Sequence, residues 1–336
     1  MGAAIELDVD DRAVRISSPD KVLFPQLGLT KLDLVHYHQQ VAEALLPHCL
    51  DRPCNLERFP DGVEGESFVQ KRVPKNAPTW LSTVEVTFSS GRGAQELCPA
   101  SLADVLWGVN LGAITVHPWS ARRDALEQPD ELRVDLDPMP DVPFDAVRTV
   151  TQVVGEVLAD HGLTGIPKTS GSTGMHVIVR TQPRSYVDVR AAAVALAREV
   201  ERRRPDLATS SWWKEERGSR VFLDYNQNLW DRSMACAYAV RPTPDARVSL
   251  PITWDEVADV EPADATVSSV PALLADRGDP TAGIDDDPGD LEPLLALAAA
   301  DKEAGLGDLP LPPHYPRFPD EPTRVPPSRA KRRDPT

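Results

Sequence analysis

Two aspartates spaced two apart in a short apolar strand limit the folding of this chain more than any other feature. In ELRVDLDP (131–138), the alternation of a strand sends Asp135 and Asp137 to one face and Val134 and Leu136 to the other. Pro138 lacks the N–H needed to continue a ladder and ends it. With the apolar pair buried against another layer, the carboxylates stand together and repel unless a cation lies between them. Hard oxygen donors of this kind suit Mg²⁺ or Mn²⁺. A bare D-x-D also occurs as two solvated acids at a strand end, so the surrounding segments have to decide.

After the aspartates, helical periodicity runs through FDAVRTVTQVVGEVLADHGL (144–163), and a second strand pattern follows in PKTSGSTGMHVIVRT (167–181). This reads as strand, helix, strand, whose ends meet at one edge of a sheet. Gly171 and Gly174 permit a sharp turn, Ser170, Ser172 and Thr173 offer hydroxyls, and successive N–H groups there can form an anion nest. His176 follows at the start of the strand. The pattern G-x-x-x-x-G-K-[ST] is absent, so this is not a Walker A loop. A third acid, Asp224, closes the strand RVFLDYNQN (220–228), where burial is costly unless the acid is paired, metal-bound or used as a cap.

Upstream, KLDLVHYHQQVAEALLPHCL (31–50) is helical, with Thr30 as N-cap and Pro47 as stop. β-formers fill SFVQKRV and STVEVTFSS, a helix runs through 102–113 into ITVHPW, and another spans 185–205. MACAYAVRP (234–242) is expected beside the 220–228 strand. Three regions are expected: a catalytic domain over 1–260, a helical segment over 261–307 packing on it, and a Pro-rich, basic extended tail over 308–336. A net charge of −16 argues against nonspecific wrapping of nucleic acid and leaves a confined basic groove as the alternative. Four scattered cysteines suggest neither a disulfide framework nor a zinc knuckle. No apolar run approaches the roughly 20 residues of a membrane span, and the acidic amino terminus is unlike a secretory signal, so a cytoplasmic, nucleoid-associated monomer is expected.

VDLDP, SGSTGMH and FLDYNQN, in this order, resemble motifs I, II and III of the archaeo-eukaryotic primase superfamily, and most closely the primase-polymerase module of bacterial ligase D and its stand-alone relatives. The likeness extends through SPDKVLFPQLGLTKLDLVHYH, RPCNLERFPDG, SFVQKRVPKNAPTWL, ITVHPW, AYAVRPTP and ITWDEV, or about residues 15–260. The resemblance implies an α+β fold: a primase-like core of mixed β-sheets flanked by helices, with a helical C-terminal segment. It implies a two-metal nucleotidyltransferase, with Mn²⁺ or Mg²⁺ on Asp135, Asp137 and Asp224. It further implies an NTP or dNTP held by Arg58, His117, Ser172, Thr173, Gly174, His176 and Arg241. Lys21 and Lys31 match lysines that hold a DNA 5′-phosphate, and Phe68 matches an aromatic that stacks on the template. Glu57 and Val69 depart from the family pattern, where a lysine and a second aromatic are usual.

The expected activity is DNA-dependent filling of short gaps in repair, with 5′-phosphate recognition and ribonucleotide incorporation, on gapped or broken DNA and alongside a separate DNA ligase or repair factors. No K-x-D-G of a ligase is present. Two rivals are a noncatalytic module that binds or synapses DNA ends and a metal-dependent nuclease. Three convergent acids beside DNA have no use in the first, and a triphosphate turn has none in the second.

Overall fold

The computed structural model describes residues 3–88, 90–313 and 325–328; Arg329, Lys331, Arg332 and Arg333 of the basic terminal cluster lie outside them. The chain opens with two small hairpins, β1 (Ile5–Val9) with β2 (Arg12–Ile16) and β3 (Val22–Phe24) with β4 (Leu29–Thr30). Helix α1 (Lys31–Gln40) begins in a capping box, where the Thr30 hydroxyl accepts from the Asp33 N–H and Asp33 accepts from the Thr30 N–H. The 31–50 periodicity does not give one helix. It divides at Val41 into α1 and the short α2 (Ala42–Leu45), which runs into a 3₁₀ turn at Leu46–His48, where Pro47 removes a backbone donor.

A first sheet follows, built from β5 (Cys54–Arg58), β6 (Phe68–Gln70), β7 (Thr83–Thr87) and β8 (Gly93–Leu97). Helix α3 (Leu102–Asn110) leads into β9 (Ala113–Pro118), which pairs antiparallel with β5. A second sheet forms around β10 (Glu131–Pro138). Its order is β11 (Ile166–Thr169), β12 (Met175–Arg180), β10, β14 (Val221–Leu223) and β13 (Ala208–Thr209). Helices α4 (Phe144–Asp160) and α5 (Tyr186–Arg203) pack on one face of this sheet. Helix α4 turns Val147, Val150, Val154, Val157 and Leu158 inward at helical spacing. They meet Val134 and Leu136, and burying side chains of this size contributes roughly 1.5–3 kcal/mol each.

The strand–helix–strand reading requires one correction. Residues 166–180 form a hairpin of two strands, closed by the Ser170 N–H donating to the Gly174 carbonyl, so the strand that pairs with β10 runs antiparallel to it. Glycine punctuation inside an apolar run marked the turn, but periodicity alone does not show that the chain reverses there. A second correction concerns 234–242. This segment lies beside β9, with Met234 N–H on Pro118 O and Cys236 N–H on Val116 O, and not beside β14. On its other side, Tyr238 N–H reaches Ser249 O, and Thr169 N–H of β11 reaches Leu250 O. Residues 233–250 thereby join the edges of the two sheets, which positions the site.

Helices α6 (Val270–Arg277) and α7 (Glu292–Glu303) follow. Val270, Leu291 and Leu294 belong to the same continuous core as β10, and α7 packs on α5. The described parts of the tail lie against the body: Asn226 and Arg190 donate to Pro310 O and Leu309 O, and the Trp212 indole N–H donates to Val325 O. Trp212 sits among Phe222 and Tyr225 as a core anchor. All four cysteines are buried and unpaired. No helix among the described residues is long and apolar enough to cross a membrane.

Candidate active site

Asp135 and Asp137 leave β10 on one face, and Asp224 arrives at the end of the neighbouring β14, tied by its own N–H to the Asp135 carbonyl at 2.9 Å. Carboxylate oxygens of the three residues lie within 4.8 Å of one another. Two unit charges at that separation repel by about 3.5 kcal/mol at an effective dielectric constant of about 20. The effect is visible in their acidities. Burial, then Asp137 and Asp224, pushes the Asp135 carboxyl well up from the usual range. Burial and Asp137 push Asp224 up to about 6. Asp137 is raised by desolvation, with Arg217 and Lys214 opposing. Gln227 Nε2 donates to Asp135 Oδ2 at 2.9 Å and fixes that carboxylate's rotation.

Across the β10–β12 ladder, Asp135 is in register with His176, and His176 Nε2 lies 3.4 Å from Asp135 Oδ1. The hairpin turn before His176 can be made only with glycine. At Gly171 φ is +68°, and a Cβ would stand 2.4 Å from Arg241 Cγ; at Gly174 it would stand 2.3 Å from the Leu136 carbonyl oxygen. Ser170 Oγ accepts from the N–H groups of Ser172 and Gly174 and braces the turn from inside. Ser172 and Thr173 are exposed at its tip.

From the first sheet come His117 on β9 and Glu57 on β5, with His117 Nε2 3.4 Å from Glu57 Oε2. This bond, opposed by burial, holds Glu57 below the usual carboxylate range, and desolvation holds His117 below the usual imidazole range. Arg241 is half-buried, its Nε has no hydrogen-bond partner among the described residues, and its charge bears on Glu57 and Asp135. Four acids, two imidazoles and a guanidinium thus gather beside the hairpin turn.

Arg58 stands with a different group. Its Nε donates to Leu111 O at 2.8 Å, its Nη1 to Gln70 Oε1 at 2.6 Å, and its guanidinium lies 5.0 Å from the centre of the Phe68 ring. Phe68 and Val69 are exposed at the end of the sheet. Lys31 is buried, with Nζ donating to Ser17 O at 2.6 Å and Asn110 O at 2.9 Å. Burial, then the charges of Lys21 and Arg58, lower its pKa, which places three cations in one neighbourhood. Lys21 is half-buried and pairs with the exposed Asp61 at 3.4 Å. Arg58 thus lies near Lys31 and against the exposed Phe68 ring.

Residues 30–281 match the family model described as LigD, primase-polymerase domain. This chain belongs to that family. It is 31% identical over 277 residues to the multifunctional non-homologous end joining protein LigD of Mycolicibacterium smegmatis, covering 82% of this chain and 36% of that protein. It is 28% identical to the bifunctional LigD of Bacillus subtilis, covering 84% of this chain and 46% of that protein. The chain spans less than half the length of these relatives. Among solved structures, the polymerase domain of Mycobacterium tuberculosis ligase D in complex with DNA superposes with a TM-score of 0.76 at 30% identity, over 81% of this chain and 98% of that one. The primase-polymerase likeness read from VDLDP, SGSTGMH and FLDYNQN is thereby established, and with it an α+β nucleotidyltransferase domain.

Within the LigD primase-polymerase domain, the donors fit a hard divalent cation: three convergent carboxylates, all with pKa raised by burial, and in Asp135 and Asp224 by neighbouring acids as well. Several contributors escaped the sequence reading. Gln227 lies inside FLDYNQN but is not acidic, and Lys168 lies inside PKTSG, where a lone lysine looks solvated. Only the hairpin register, which sets Lys168 opposite His176, reveals it.

Proposed function

We propose that this domain adds nucleotides to the 3′ end of a primer strand at gaps or breaks in DNA, using two Mn²⁺ or Mg²⁺ ions on Asp135, Asp137 and Asp224. The convergence of these three carboxylates beside the glycine turn and His176 carries the proposal. Bound divalent cations would supply Lewis-acid activation of the primer 3′-hydroxyl and charge stabilisation of the departing pyrophosphate.

The chain's own residues bind and orient. Ser172, Thr173 and Gly174, with His176, His117 and Arg241, surround the place for a triphosphate, whose negative charge Arg241 offsets. Gln227 keeps Asp135 turned toward the other two acids. Lys21 and Lys31 take the 5′-phosphate of the downstream strand, and Arg58 belongs with them more readily than with the triphosphate. Phe68, with Arg58 against its ring, presents a stacking face for a template base. The relatives' names place such a domain in end joining, and short-gap repair with ribonucleotide incorporation, alongside a separate ligase, is the corresponding reading here.

Gapped duplexes carrying a 5′-phosphate, incubated with Mn²⁺ and each of the eight nucleotides in turn, test this. Template-directed extension by a few nucleotides, with ribonucleotides preferred, is expected. Binding without extension would return the chain to the end-binding class, and shortening of the primer to the nuclease class.

A further inference from the structure

One short turn orients two of the three acids. In the 3₁₀ turn Tyr225–Asn228, the Asn226 N–H donates to Asp224 Oδ1 at 2.9 Å and Gln227 Nε2 donates to Asp135 Oδ2 at 2.9 Å, while Asn228 exchanges two hydrogen bonds with the backbone of Arg133 on β10. The turn is held from outside by Arg190, a buried arginine among the alanines and valines of α5. Its Nε donates to Asn226 Oδ1 at 3.0 Å, its Nη1 to Asp308 Oδ1 at 2.9 Å and its Nη2 to the Leu309 carbonyl at 2.7 Å, and its guanidinium lies 5.3 Å from the centre of the Tyr225 ring. Asn226 Nδ2 in turn donates to the Pro310 carbonyl at 3.2 Å. A guanidinium only donates and a carbonyl only accepts, so the orientation of the Asn226 amide has one solution. The strap 308–310 is thereby joined to the turn through two side chains, and it lies beyond residues 30–281, which the family model matches.

We infer that Arg190 and the strap 308–310 are positioning elements of the metal centre: they hold the Tyr225–Asn228 turn, and through it the rotation of Asp224 and Asp135 at which the two carboxylates can share a cation. This deepens the nucleotidyltransferase reading and rests on it. A buried guanidinium adds little net stability, because its desolvation offsets its hydrogen bonds. What it adds here is a fixed distance between two segments, motif III and the strap, that are more than 80 residues apart in sequence. A turn released from that anchor lets Asp224 and Asp135 rotate apart under their mutual repulsion. Groups that orient metal-binding side chains govern affinity nearly as strongly as the ligands themselves.

Mn²⁺ binding, read from the loss of the free-ion EPR signal in folded, DNA-free protein well below its melting temperature, tests this without catalysis. Arg190→Met keeps most of the side chain's bulk and removes every donor. Its affinity for Mn²⁺ should fall about tenfold, the lower end of what the loss of an outer partner costs a metal site, and amide hydrogen exchange at 225–228 should accelerate while exchange in β12 stays as in wild type. Arg190→Lys, which retains a cationic donor, should lose less. An arginine that only stabilises the fold predicts a lower melting temperature with unchanged Mn²⁺ affinity, and that result would overturn the inference. Should Arg190→Met not fold, Asp308→Ala decides, because its carboxylate is exposed and holds Arg190 from the strap side: a loss of about threefold or more is expected, and wild-type affinity would overturn the inference. Asp137→Ala is the reference. Binding lost there but unchanged in Arg190→Met would count against the positioning role alone, whereas undiminished binding in Asp137→Ala would remove the three-acid centre and the inference with it.

Discussion

Asp135 and His176 face each other across one antiparallel ladder, with a carboxylate oxygen and a ring nitrogen 3.4 Å apart, while Asp224 is fastened to the backbone of the same Asp135. Three separate stretches of chain, 135–137, 170–176 and 224–227, are thus fixed to one another by backbone hydrogen bonds before any ligand arrives. This is the preorganisation that phosphoryl transfer requires of a protein.

Crowding three carboxylates without a cation should destabilise the fold, and removing one should relieve it. In chelator-treated protein, Asp137→Asn is expected to raise the melting temperature by a few degrees, consistent with about 1 kcal/mol or more of repulsion removed. Adding Mn²⁺ should raise the wild-type melting temperature and leave that of Asp137→Asn nearly unchanged. Equal metal-induced shifts in the two proteins would show that the cation binds elsewhere.

Gly174 has no room for a methyl group beside the Leu136 carbonyl. Gly174→Ala should lose roughly 1–3 kcal/mol of stability in denaturant unfolding and more than tenfold in nucleotide addition, because the clash falls on the strand that carries both aspartates. Gly162→Ala makes a control: its φ is +69° but a Cβ would meet nothing within 4 Å, so it should cost stability without touching activity selectively.

Glu96 on β8 is fully buried, its carboxylate oxygens meet at best a weak contact from the Trp119 indole among the described residues, and burial pushes its pKa up to about 8. A carboxyl with a raised folded-state value binds its proton more tightly folded than unfolded, so the unfolded chain releases protons first as pH rises from about 4.5 to 8 and stability falls across that window. Glu96→Gln, neutral at every pH, should therefore gain on wild type between pH 5 and pH 8, by an amount on the order of 3–5 kcal/mol. Parallel stability curves for the two proteins over this range would contradict it.

Lys21 and Lys31 should differ when replaced singly. Lys31→Ala removes a buried ammonium that donates to the Ser17 and Asn110 carbonyls and should cost roughly 1–3 kcal/mol of stability, whereas Lys21→Ala, at a half-buried residue whose one ion pair reaches an exposed acid, should cost less than about 0.5. Both should reduce the preference for gapped DNA with a 5′-phosphate over the same gap with a 5′-hydroxyl, by fivefold or more in a binding titration. A wild-type protein without that preference would remove the assignment.

The convergence of Asp135, Asp137 and Asp224 was legible because these residues sit on short strings with unambiguous geometry. The D-x-D alternation of 135 and 137 follows from strand pleating, and the strand spans the expected Glu131–Pro138. The Gly171–Gly174 turn was read as a turn, but its consequence, a hairpin that reverses β12, depends on pairing between distant segments. Arg58 illustrates what sequence leaves out: its place in LERFPDG suggests the nucleotide, and its contacts with Leu111, Gln70 and Phe68, each ten or more residues away, come only with the fold. Lys168 was hidden for the same reason: a buried amino group is tolerable only with hydrogen-bond partners, and these come from residues 176, 235 and 249.

The central claim is that Asp135, Asp137 and Asp224 form one metal-dependent centre for nucleotide addition. Single-turnover extension of a 5′-phosphorylated gapped duplex in Mn²⁺, compared between wild type and Asp137→Ala at saturating protein, tests it most directly. A fall of at least a hundredfold in the extension rate, with gapped-DNA affinity within about threefold of wild type, is the predicted result. An extension rate in Asp137→Ala within tenfold of wild type would contradict it.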